Sequence, residues 1–422
     1  MSSATVPSTA PLLGDRYVGR KYVQLVLLLG ALSAIGPLTI DTYLPALPAL
    51  SAELQASDAS TQLTMTGLLA GLGLGQLIIG PLSDSVGRRK PLIFGLLGHA
   101  VMSLVCALAP SITMLIIART VQGVAGAAVA VVAMAIVRDL FTGLKAAQLL
   151  SRLVLVTGVS PILAPSIGSA LLSLTDWQGI FVVLAAVALS TMIIAMIALP
   201  ETLPLTRRTP AEPIRWLQSY AGLFSDRLYL IMVAVTALMF SALFAYVAGS
   251  PFVLQDVFGL SPAQYGVVFA INAAGLIVMT QLNPVLVKRF GPERVLTGAV
   301  ITGVVASVAM LITSVAGAGL IGFILPIFVL LAACGVSAPN STAIALSRHG
   351  EAAGTAAALL GSAQFVVGGF ASPLVGALNN GTAIPLAGLM ILATGLALGL
   401  LLPVRARQRR SARLRQQVPA TL

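Results

Sequence analysis

Residues 80–92 read GPLSDSVGRRKPL and join two long apolar runs through a short basic turn. A second stretch, residues 283–296, reads NPVLVKRFGPERVL and repeats the same order of features. Each has a proline where an apolar run ends, followed by a basic turn that contains glycine. The repeat predicts a chain of two related halves, and parallel halves in membrane proteins enclose a binding site near the membrane midplane.

Long apolar runs dominate the rest of the chain. It is 58% hydrophobic and only 9% charged, whereas soluble domains contain about 25% charged residues. A run of about 20 apolar residues can cross the hydrocarbon layer. Such runs occupy residues 23–46, 61–82, 91–109, 112–136, 153–174, 178–199, 228–250, 264–287, 295–314, 319–342, 354–377 and 383–403. The sequence therefore predicts an all-α polytopic membrane protein with twelve transmembrane helices in two six-helix bundles.

One hydrophilic stretch interrupts this pattern after the sixth run and divides the chain. The predicted parts are a cytoplasmic tail at 1–22, an N-terminal six-helix bundle at 23–199, a cytoplasmic central loop at 200–227, a C-terminal six-helix bundle at 228–403 and a basic cytoplasmic tail at 404–422. The first apolar run is too long for a signal-peptide core, so we expect it to be retained as a span.

The 24 Lys and Arg residues predict the orientation of the spans. All of them except Arg119 lie in the two tails or in every second loop, and the alternate loops carry no positive residue. Because basic residues accumulate on the cytoplasmic side, we expect both termini to be cytoplasmic. Arg119 lies inside an apolar run, where a charge is costly, and is therefore a candidate for a functional residue.

Several other classes of protein do not fit this sequence. The net charge of +11 is spread over loops and tails rather than forming a basic face with aromatic residues, so no nucleic-acid partner is predicted. A phosphate-binding loop of an ATP-driven pump and the repeated polar rings of a channel are both missing. The two cysteines predict neither a disulfide framework nor a metal site. Without paired carboxylates or a His/Cys cluster in the spans, we expect no enzyme, no cofactor and no metal.

Asp41 and Arg119 are the acid and the base inside the predicted spans, with His99 as a further titratable group. At about 1.5 Å per residue, Asp41 lies about 9 Å and Arg119 about 12 Å from the same membrane surface. We expect Gln122, on the same helical face as Arg119, to bridge the two by hydrogen bonds. Rocking of the bundles would change the burial and the charged neighbours of Asp41, and so its affinity for a proton. The alternative is a structural ion pair; His99 is expected to be packed and neutral.

With these features in place, the chain resembles the major facilitator superfamily over nearly its whole length. More narrowly, it resembles the twelve-span drug:proton antiporters of the bicyclomycin/chloramphenicol-resistance (Bcr/CflA) type. The stretches that carry the resemblance are DTYLPALP at 41–48, the loop at 80–90, RTVQGVAG at 119–126 and SPILAPSIG at 160–168, with support from WQGIF at 177–181, LPETL at 199–203 and AGTAA at 353–357. Each is a weak signal alone, but their order and spacing together are specific.

The resemblance implies a conformational latch in the loop at 80–90. In the family, the residue corresponding to Asp84 caps the N-terminus of span 11, where the helix dipole favours an anion. Arg88 is expected to pair with Asp139 at the end of span 4, while Gly87 and Arg89 complete the turn. Such contacts join the two halves in one conformation and separate in the other. The alternative is a basic loop that only sets the membrane orientation.

Span 5 carries the antiporter motif of the family at Pro161, Ala164, Pro165 and Gly168. Small residues permit close helix approach in lipid, and the prolines bend the helix. Ala164 stands where the family usually has glycine, which keeps this face small. The resemblance, rather than the packing, implies that transport runs outwards.

The resemblance also implies a substrate cavity between the bundles. The candidate lining residues are Tyr43, Phe240, Phe244, Asn272 and Gln364. A cavity with one acid and mostly apolar walls suits amphipathic or aromatic drugs that are neutral or carry one positive charge. Proton coupling is assigned to Asp41, Arg119 and Gln122.

The predicted protein is a proton-coupled exporter of chloramphenicol- or bicyclomycin-like drugs that works by alternating access. Its expected partners are a small-molecule drug, protons and membrane lipid, and we expect a monomer in the bacterial inner membrane. Two alternatives stay open at this point, a proton-coupled uptake symporter and a sensor derived from a transporter.

Overall fold

The computed structural model describes residues 14, 17–210, 212, 218, 220–349 and 353–417. Twelve long helices occur in this part of the chain, and we number them in chain order. They are α1 (Arg20–Asp41), α2 (Asp58–Val86), α3 (Arg89–Ala107), α4 (Ile112–Leu140), α5 (Gly143–Leu172), α6 (Trp177–Ala198), α7 (Arg227–Phe252), α8 (Pro262–Phe290), α9 (Pro292–Val315), α10 (Gly319–Leu346), α11 (Ala353–Ala377) and α12 (Ile384–Gln417). All twelve contain a segment long and apolar enough to cross a membrane, which confirms the predicted number of spans. Most of the predicted tail at 1–22, and residues 418–422, lie outside the described residues.

The first predicted span is interrupted. Helix α1 ends at Asp41, and a short 3-10 turn over Leu44–Ala46 leads into a seven-residue helix over Leu47–Glu53. Proline lacks a backbone N–H and clashes with the preceding helical turn, so Pro45 and Pro48 end the regular helix here. We call residues 42–46 the α1 break; its side chains are buried. The break places Asp41 at a helix end inside the molecule.

Two helices extend at least ten residues beyond their predicted apolar runs. Helix α5 begins at Gly143, ahead of the predicted start at 153, and helix α12 continues to Gln417, beyond the predicted end at 403. The additional turns contain basic residues, which lower the hydropathy of the sequence without disfavouring a helix. Hydropathy therefore locates the part of a helix inside the hydrocarbon layer rather than the end of the helix.

Helices α1–α6 and α7–α12 form two bundles. Within the first bundle, α2 crosses α4 at Gly71 and Gly123, where an added Cβ would overlap the backbone of the other helix. Two helix pairs join the bundles, because α2 packs along α11 and α5 packs along α8. The junction between the halves therefore follows four helices and the α1 break, which contacts α5, α7 and α8.

The two ends of the molecule differ in charge. We call the end with Glu53, Asp58, Asp176 and Asp256 the acidic end. We call the end with Arg88, Arg138, Lys288, Arg294 and Arg348 the basic end.

Hydrogen bonds between the halves close the acidic end. Gly376 N–H donates to Gln62 Oε1 (2.9 Å), Asn379 Nδ2 to Asp58 Oδ2 (2.6 Å), Ser169 Oγ to the carbonyl of Pro262 (2.7 Å) and Gln255 Nε2 to the carbonyl of Pro45 (3.2 Å). These bonds involve helices α2, α5, α8 and α11 and the segments that flank α1 and α7. The halves are thus held together at this end.

At the basic end, a cavity of about 600 Å³ lies between α2 and α4 on one side and α11 on the other. Arg138 belongs to its lining and is exposed, and the lining side chain of Asp84 is 49% exposed, so the cavity reaches solvent at this end. The structure is therefore closed at the acidic end and open at the basic end.

Candidate functional site

Asp41 is the buried acid of the site. It is the last residue of α1 and is 5% exposed. Its carboxylate forms no hydrogen bond or ion pair with any described residue. The α1 break, which directly follows it, contacts α7 and α8 of the second half. Asp41 is thus an ionisable group without a fixed partner at the junction of the halves.

Arg119 of α4 is fully buried in the first half. Its Nη1 donates to Gln122 Oε1 at 2.8 Å, and its Nη2 donates to the carbonyl of Thr39 at 3.1 Å. Its guanidinium carbon lies 4.1 Å from the centre of the Tyr43 ring and 5.5 Å from that of Phe181. The positive charge is stabilised by aromatic faces and hydrogen bonds, and it pairs with none of the described carboxylates.

A chain of hydrogen bonds continues from Arg119 through α3 and returns to α1. Gln122 Nε2 donates to Ser103 Oγ at 2.7 Å, and Ser103 lies one turn from His99. The Nε2 atom of His99 is 2.8 Å from the Thr39 hydroxyl. The predicted bridge from Gln122 to Asp41 is therefore wrong, because the oxygen of the Gln122 amide accepts from Arg119 and its nitrogen donates to Ser103. His99 is packed, as expected, and its ring contacts the Thr39 hydroxyl within this network.

The network fixes Thr39, which lies two residues before Asp41. Its carbonyl accepts from Arg119 and its hydroxyl contacts His99. The Tyr43 ring beneath Arg119 fixes the chain two residues after Asp41. Arg119 thus positions Asp41 through the backbone on both sides of it, without an ion pair between the two charges.

The predicted lining residues are placed differently from expectation. Tyr43 is fully buried between Arg119 and Phe181 and does not line the cavity, because the α1 break turns its ring into the first bundle. Asn272 is also fully buried, and its Nδ2 donates to Tyr246 Oη at 2.9 Å, although its Oδ1 has no partner among the described residues.

The other three predicted lining residues lie on α7 and α11. Phe244 is 5% exposed, and its ring lies 5.9 Å from that of Phe240 and 6.1 Å from that of Phe365. Phe365 lines the cavity, whereas Phe240, Phe244 and Gln364 are absent from the lining. The aromatic ring that lines the cavity is therefore Phe365, which is a neighbour of the predicted Phe244.

Residues that the sequence analysis did not select form most of the cavity wall. They are mainly small or apolar, with a few polar groups, and include Gln76, Gly80, Ala130, Met134, Tyr220, Thr355, Ala358 and Phe365. Small and apolar residues occur throughout membrane helices, so no local pattern in the sequence distinguishes these positions.

Arg88 and its two carboxylates form the implied latch region. Arg88 lies 2.6 Å from Asp84 and donates from Nε to Asp139 at 2.9 Å. Burial opposes the charge of Arg88, but the hydrogen bond to Asp139 and the charges of both acids raise the pKa of its guanidinium above the ordinary value. Among the described residues, Asp84 makes no contact with the start of α11 of the kind expected. Asp84 and Thr355 instead lie on different walls of the open cavity.

Glu201, in the LPETL stretch, is a site residue that the sequence analysis did not select. Its carboxylate accepts hydrogen bonds from the backbone N–H groups of Arg88 (2.8 Å) and Arg89 (3.2 Å) and so caps α3. Burial alone would raise the pKa of this carboxyl, but three backbone hydrogen bonds and the charge of Arg208 lower it below its usual value. The capped turn needs Gly87, because its φ is +97° and an added Cβ would overlap Glu201. Arg89 Nη2 donates to the carbonyl of Met196 at 2.6 Å.

Helix α5 carries the implied antiporter motif against the α1 break. Gly168 lies so close to the carbonyl of Thr42 that an added Cβ would overlap it. Ala164 is fully buried, and Pro161 and Pro165 lie within the helix. Ser169 donates to the carbonyl of Pro262 in the second half. The small face of α5 thus permits one helix to contact both the α1 break and α8.

We expect Gly168→Ala to reduce both stability and transport, whereas Gly158→Ala on the same helix is tolerated. The first Cβ overlaps the Thr42 carbonyl, while the nearest atom to a Cβ at Gly158 is Ile277 Cγ1 at 3.7 Å, an ordinary contact. Overpacking costs about 1–3 kcal/mol. Thermal unfolding in detergent measures the first effect, and a transport assay in cells measures the second. Equal behaviour of the two variants would contradict the close approach of α5 to the α1 break.

Comparison with known proteins gives the same fold and a family. Residues 27–373 match the family model described as Major Facilitator Superfamily. An uncharacterised MFS-type transporter of Bacillus subtilis, YdgK, is 37% identical over 378 residues, which cover 88% of this chain and 93% of that protein.

Two further relatives have names that refer to resistance. The bicyclomycin resistance protein homolog of Haemophilus influenzae is 29% identical, with 86% of this chain and 91% of that protein covered. The multidrug resistance protein MdtL of Salmonella heidelberg is 31% identical over 263 residues, which are 62% of this chain and 66% of that protein.

Solved structures of transporters share the fold. The Escherichia coli xylose transporter XylE, in a partially occluded inward open conformation, superimposes with a TM-score of 0.70 at 14% identity and covers 91% of this chain and 98% of its own. The nucleoside transporter NupG gives a TM-score of 0.71 at 14% identity and covers 90% and 99%. At these identities the likeness concerns the fold alone.

Proposed function

The chain belongs to the major facilitator superfamily. From this premise we propose that it exports amphipathic or aromatic drugs in exchange for protons. The substrate class follows from the relatives whose names refer to bicyclomycin and multidrug resistance. The observation that carries the proposal is Asp41, a buried acid without a fixed partner at the junction of two bundles that are closed at one end and open at the other.

The proposed orientation places the basic end in the cytoplasm of a bacterium, since basic residues accumulate on that side of the inner membrane. Both termini are then cytoplasmic, and the open cavity faces inwards. In this state the protein receives a drug from the cytoplasm or from the inner leaflet. Movement to the other state requires the bonds at the acidic end, such as Asn379 to Asp58, to break.

The proposed latch acts in that second state. When the basic end closes, Asp84 reaches the N-terminus of α11, where unpaired N–H groups and the helix dipole stabilise an anion. Arg88 holds Asp84 next to Asp139 in the open state, and Glu201 fixes the turn that carries them. The closed state of the basic end thus gains a contact that the open state lacks.

Proton coupling is proposed for Asp41. A carboxylate at the junction experiences a different solvation in each conformation, so its affinity for a proton changes as the halves rock. Arg119 and Gln122 hold the segment that carries Asp41 while their own hydrogen bonds stay within the first half. A proton that enters along the membrane potential gains about 2.3 kcal/mol per 100 mV, which drives export against a gradient.

The cavity supports the proposed substrate class. Its volume of about 600 Å³ lies within the usual range of ligand cavities, about 300–1,000 Å³. Phe365 and Met134 offer apolar and aromatic contact, while Gln76, Thr355 and Tyr220 offer hydrogen-bonding groups. Neutral or singly positive drugs of the chloramphenicol or bicyclomycin kind match this chemistry. The proposed unit of transport is one chain with its own cavity.

Drug accumulation in an efflux-deficient bacterial host tests the proposal. Cells expressing the protein are compared with cells carrying an empty vector over a panel that includes chloramphenicol, with and without a protonophore. We expect lower accumulation that the protonophore abolishes. Higher accumulation of a panel compound would favour the uptake symporter, and unchanged accumulation of every compound by a well-expressed protein would favour the sensor.

A further inference from the structure

A second cavity lies on the membrane-facing side of the second half, away from the proposed transport site. It is a groove of about 830 Å³ between α8 and α9, with α10 as its floor. Although α8 and α9 are joined by a tight turn at Gly291, they contact each other sparsely, and each packs on α10 instead. The lining is apolar apart from Thr302 and Arg294. The groove is therefore an apolar channel that opens sideways into the bilayer.

The groove is long enough to hold a lipid chain. Its lining extends along α8 from Ile271 to Phe290, which corresponds to about 28 Å at about 1.5 Å per residue. One leaflet of the hydrocarbon layer is about 15 Å thick. The groove can therefore hold the full length of a fatty-acyl chain that enters at the basic end. Gly298 adds no side chain to the wall, and nothing lies within 4 Å of a Cβ built there.

Positive charge is concentrated at the basic end of this groove. Arg294 belongs to the lining, and the guanidinium carbon of Arg289 lies 5.2 Å from the ring centre of Phe290, which also belongs to the lining. Both arginines are exposed, and neither forms an ion pair with any described residue. With Lys288 and the single acid Glu293, this turn carries three positive charges and one negative charge.

From this juxtaposition we infer that the groove binds an anionic phospholipid. One acyl chain lies between α8 and α9, and the phosphate lies at Arg289 and Arg294. Anionic headgroups are attracted to basic groups at a membrane surface, and apolar burial of the chain adds to the affinity. An apolar channel with uncompensated cations at one end matches both parts of such a molecule.

Other occupants match the groove less well. A second copy of the chain, seated on the same surface around a two-fold axis, would bring the arginines of the two copies close together. A lipophilic cation would be repelled by Arg289 and Arg294. A free phosphate ion would use the arginines but leave the apolar channel unexplained.

Native mass spectrometry of the full chain in detergent tests the inference. The probes are phosphatidylglycerol, phosphatidylcholine with the same acyl chains, and glycerol 3-phosphate. We expect phosphatidylglycerol to bind in preference to phosphatidylcholine, and glycerol 3-phosphate not to bind. The double variant Arg289→Gln/Arg294→Gln is expected to bind phosphatidylglycerol roughly 30-fold more weakly, since each basic group contributes a factor of about five.

A second variant tests the channel separately from the charges. Gly298→Leu places a side chain in the groove without a clash and is expected to reduce phosphatidylglycerol binding as well. Gly399→Leu is the matched control, because Gly399 is an exposed glycine of α12 with open space around its Cβ. Arg20→Gln/Arg227→Gln removes two exposed positive charges from the same end of the molecule, and both controls are expected to bind as the wild type does.

Five results would overturn the inference. They are equal binding of the two phospholipids, wild-type binding by Arg289→Gln/Arg294→Gln, wild-type binding by Gly298→Leu, binding of glycerol 3-phosphate with the affinity of the lipid, and a change of oligomeric state in Gly298→Leu, which would assign the groove to a second copy. Wild-type drug export plays no part in these measurements. The lipid site and the proposed function therefore stand or fall separately.

Discussion

Replacing Asp41 with asparagine is expected to abolish concentrative drug export while the protein remains folded. Asparagine has nearly the same shape but cannot carry a proton, so the link between the proton gradient and the drug is lost. At 100 mV, one proton contributes about 2.3 kcal/mol, equivalent to a drug gradient of about 50-fold. We expect this gradient to fall to the passive value. The stability of the variant should match that of the wild type, because the Asp41 carboxylate has no partner among the described residues.

Asp176→Asn is the matched control for Asp41→Asn. Asp176 is an exposed acid at the acidic end and precedes α6. Its replacement removes the same charge without changing the junction, so export should be unchanged. Wild-type export by Asp41→Asn, at equal protein level, would show that another residue carries the proton.

Replacing Arg119 with methionine is expected to reduce export at least about tenfold, with a small change in stability. Methionine retains much of the packing but leaves the Thr39 carbonyl and the Gln122 amide oxygen without the bond from Arg119, at about 1–3 kcal/mol each. The gain from removing a buried charge that has no described counterion offsets part of this cost. The free energy of unfolding should therefore change by about 2 kcal/mol or less. Export falls because Arg119 no longer holds the backbone on either side of Asp41 in place.

The pH profile of export distinguishes this positioning role from a purely structural one. Arg119→Lys keeps the positive charge, but its single ammonium group does not reproduce the planar fork that bonds both Gln122 and Thr39. We expect residual export in Arg119→Lys with a pH profile shifted from that of the wild type. An unshifted profile in a variant with reduced export would limit Arg119 to packing.

The sequence predicted the membrane fold well because hydropathy and charge act over whole segments. Twelve runs of sufficient length gave twelve helices, and their ends were misplaced mainly where helix α5 and helix α12 continue past the hydrocarbon layer. The first span was the exception. Pro45 and Pro48 were visible in the sequence, but the 3-10 turn that separates α1 from the helix over Leu47–Glu53 was not predicted.

The candidate site was predicted in its residue types and less well in its contacts. A charge at membrane depth singles out Asp41 and Arg119 because such groups are costly. The direction of each side chain depends on tertiary packing, and here the guanidinium turns towards Thr39 and the Tyr43 ring rather than towards Asp41. Depth along two helices does not determine which faces of those helices meet.

Glu201 shows a different limit of the sequence. Its stretch was recognised as a family motif, yet its role as the cap of α3 depends on contact between segments more than a hundred residues apart. The cavity wall was missed for a simpler reason. Gln76, Met134 and Phe365 have no feature in the sequence that separates them from neighbouring positions on their helices.

The central claim is that drug and protons move in opposite directions through one buried acid. Proton flux in proteoliposomes measures this directly, with a pH-sensitive dye in the lumen, no other ion gradient, and chloramphenicol or another transported panel compound added outside. For the wild type, we expect drug entry to be accompanied by the exit of protons from the lumen, so that the luminal pH rises. Asp41→Asn is expected to give no such rise. Drug entry without proton movement in the wild type, or equal proton movement in Asp41→Asn, would contradict the account.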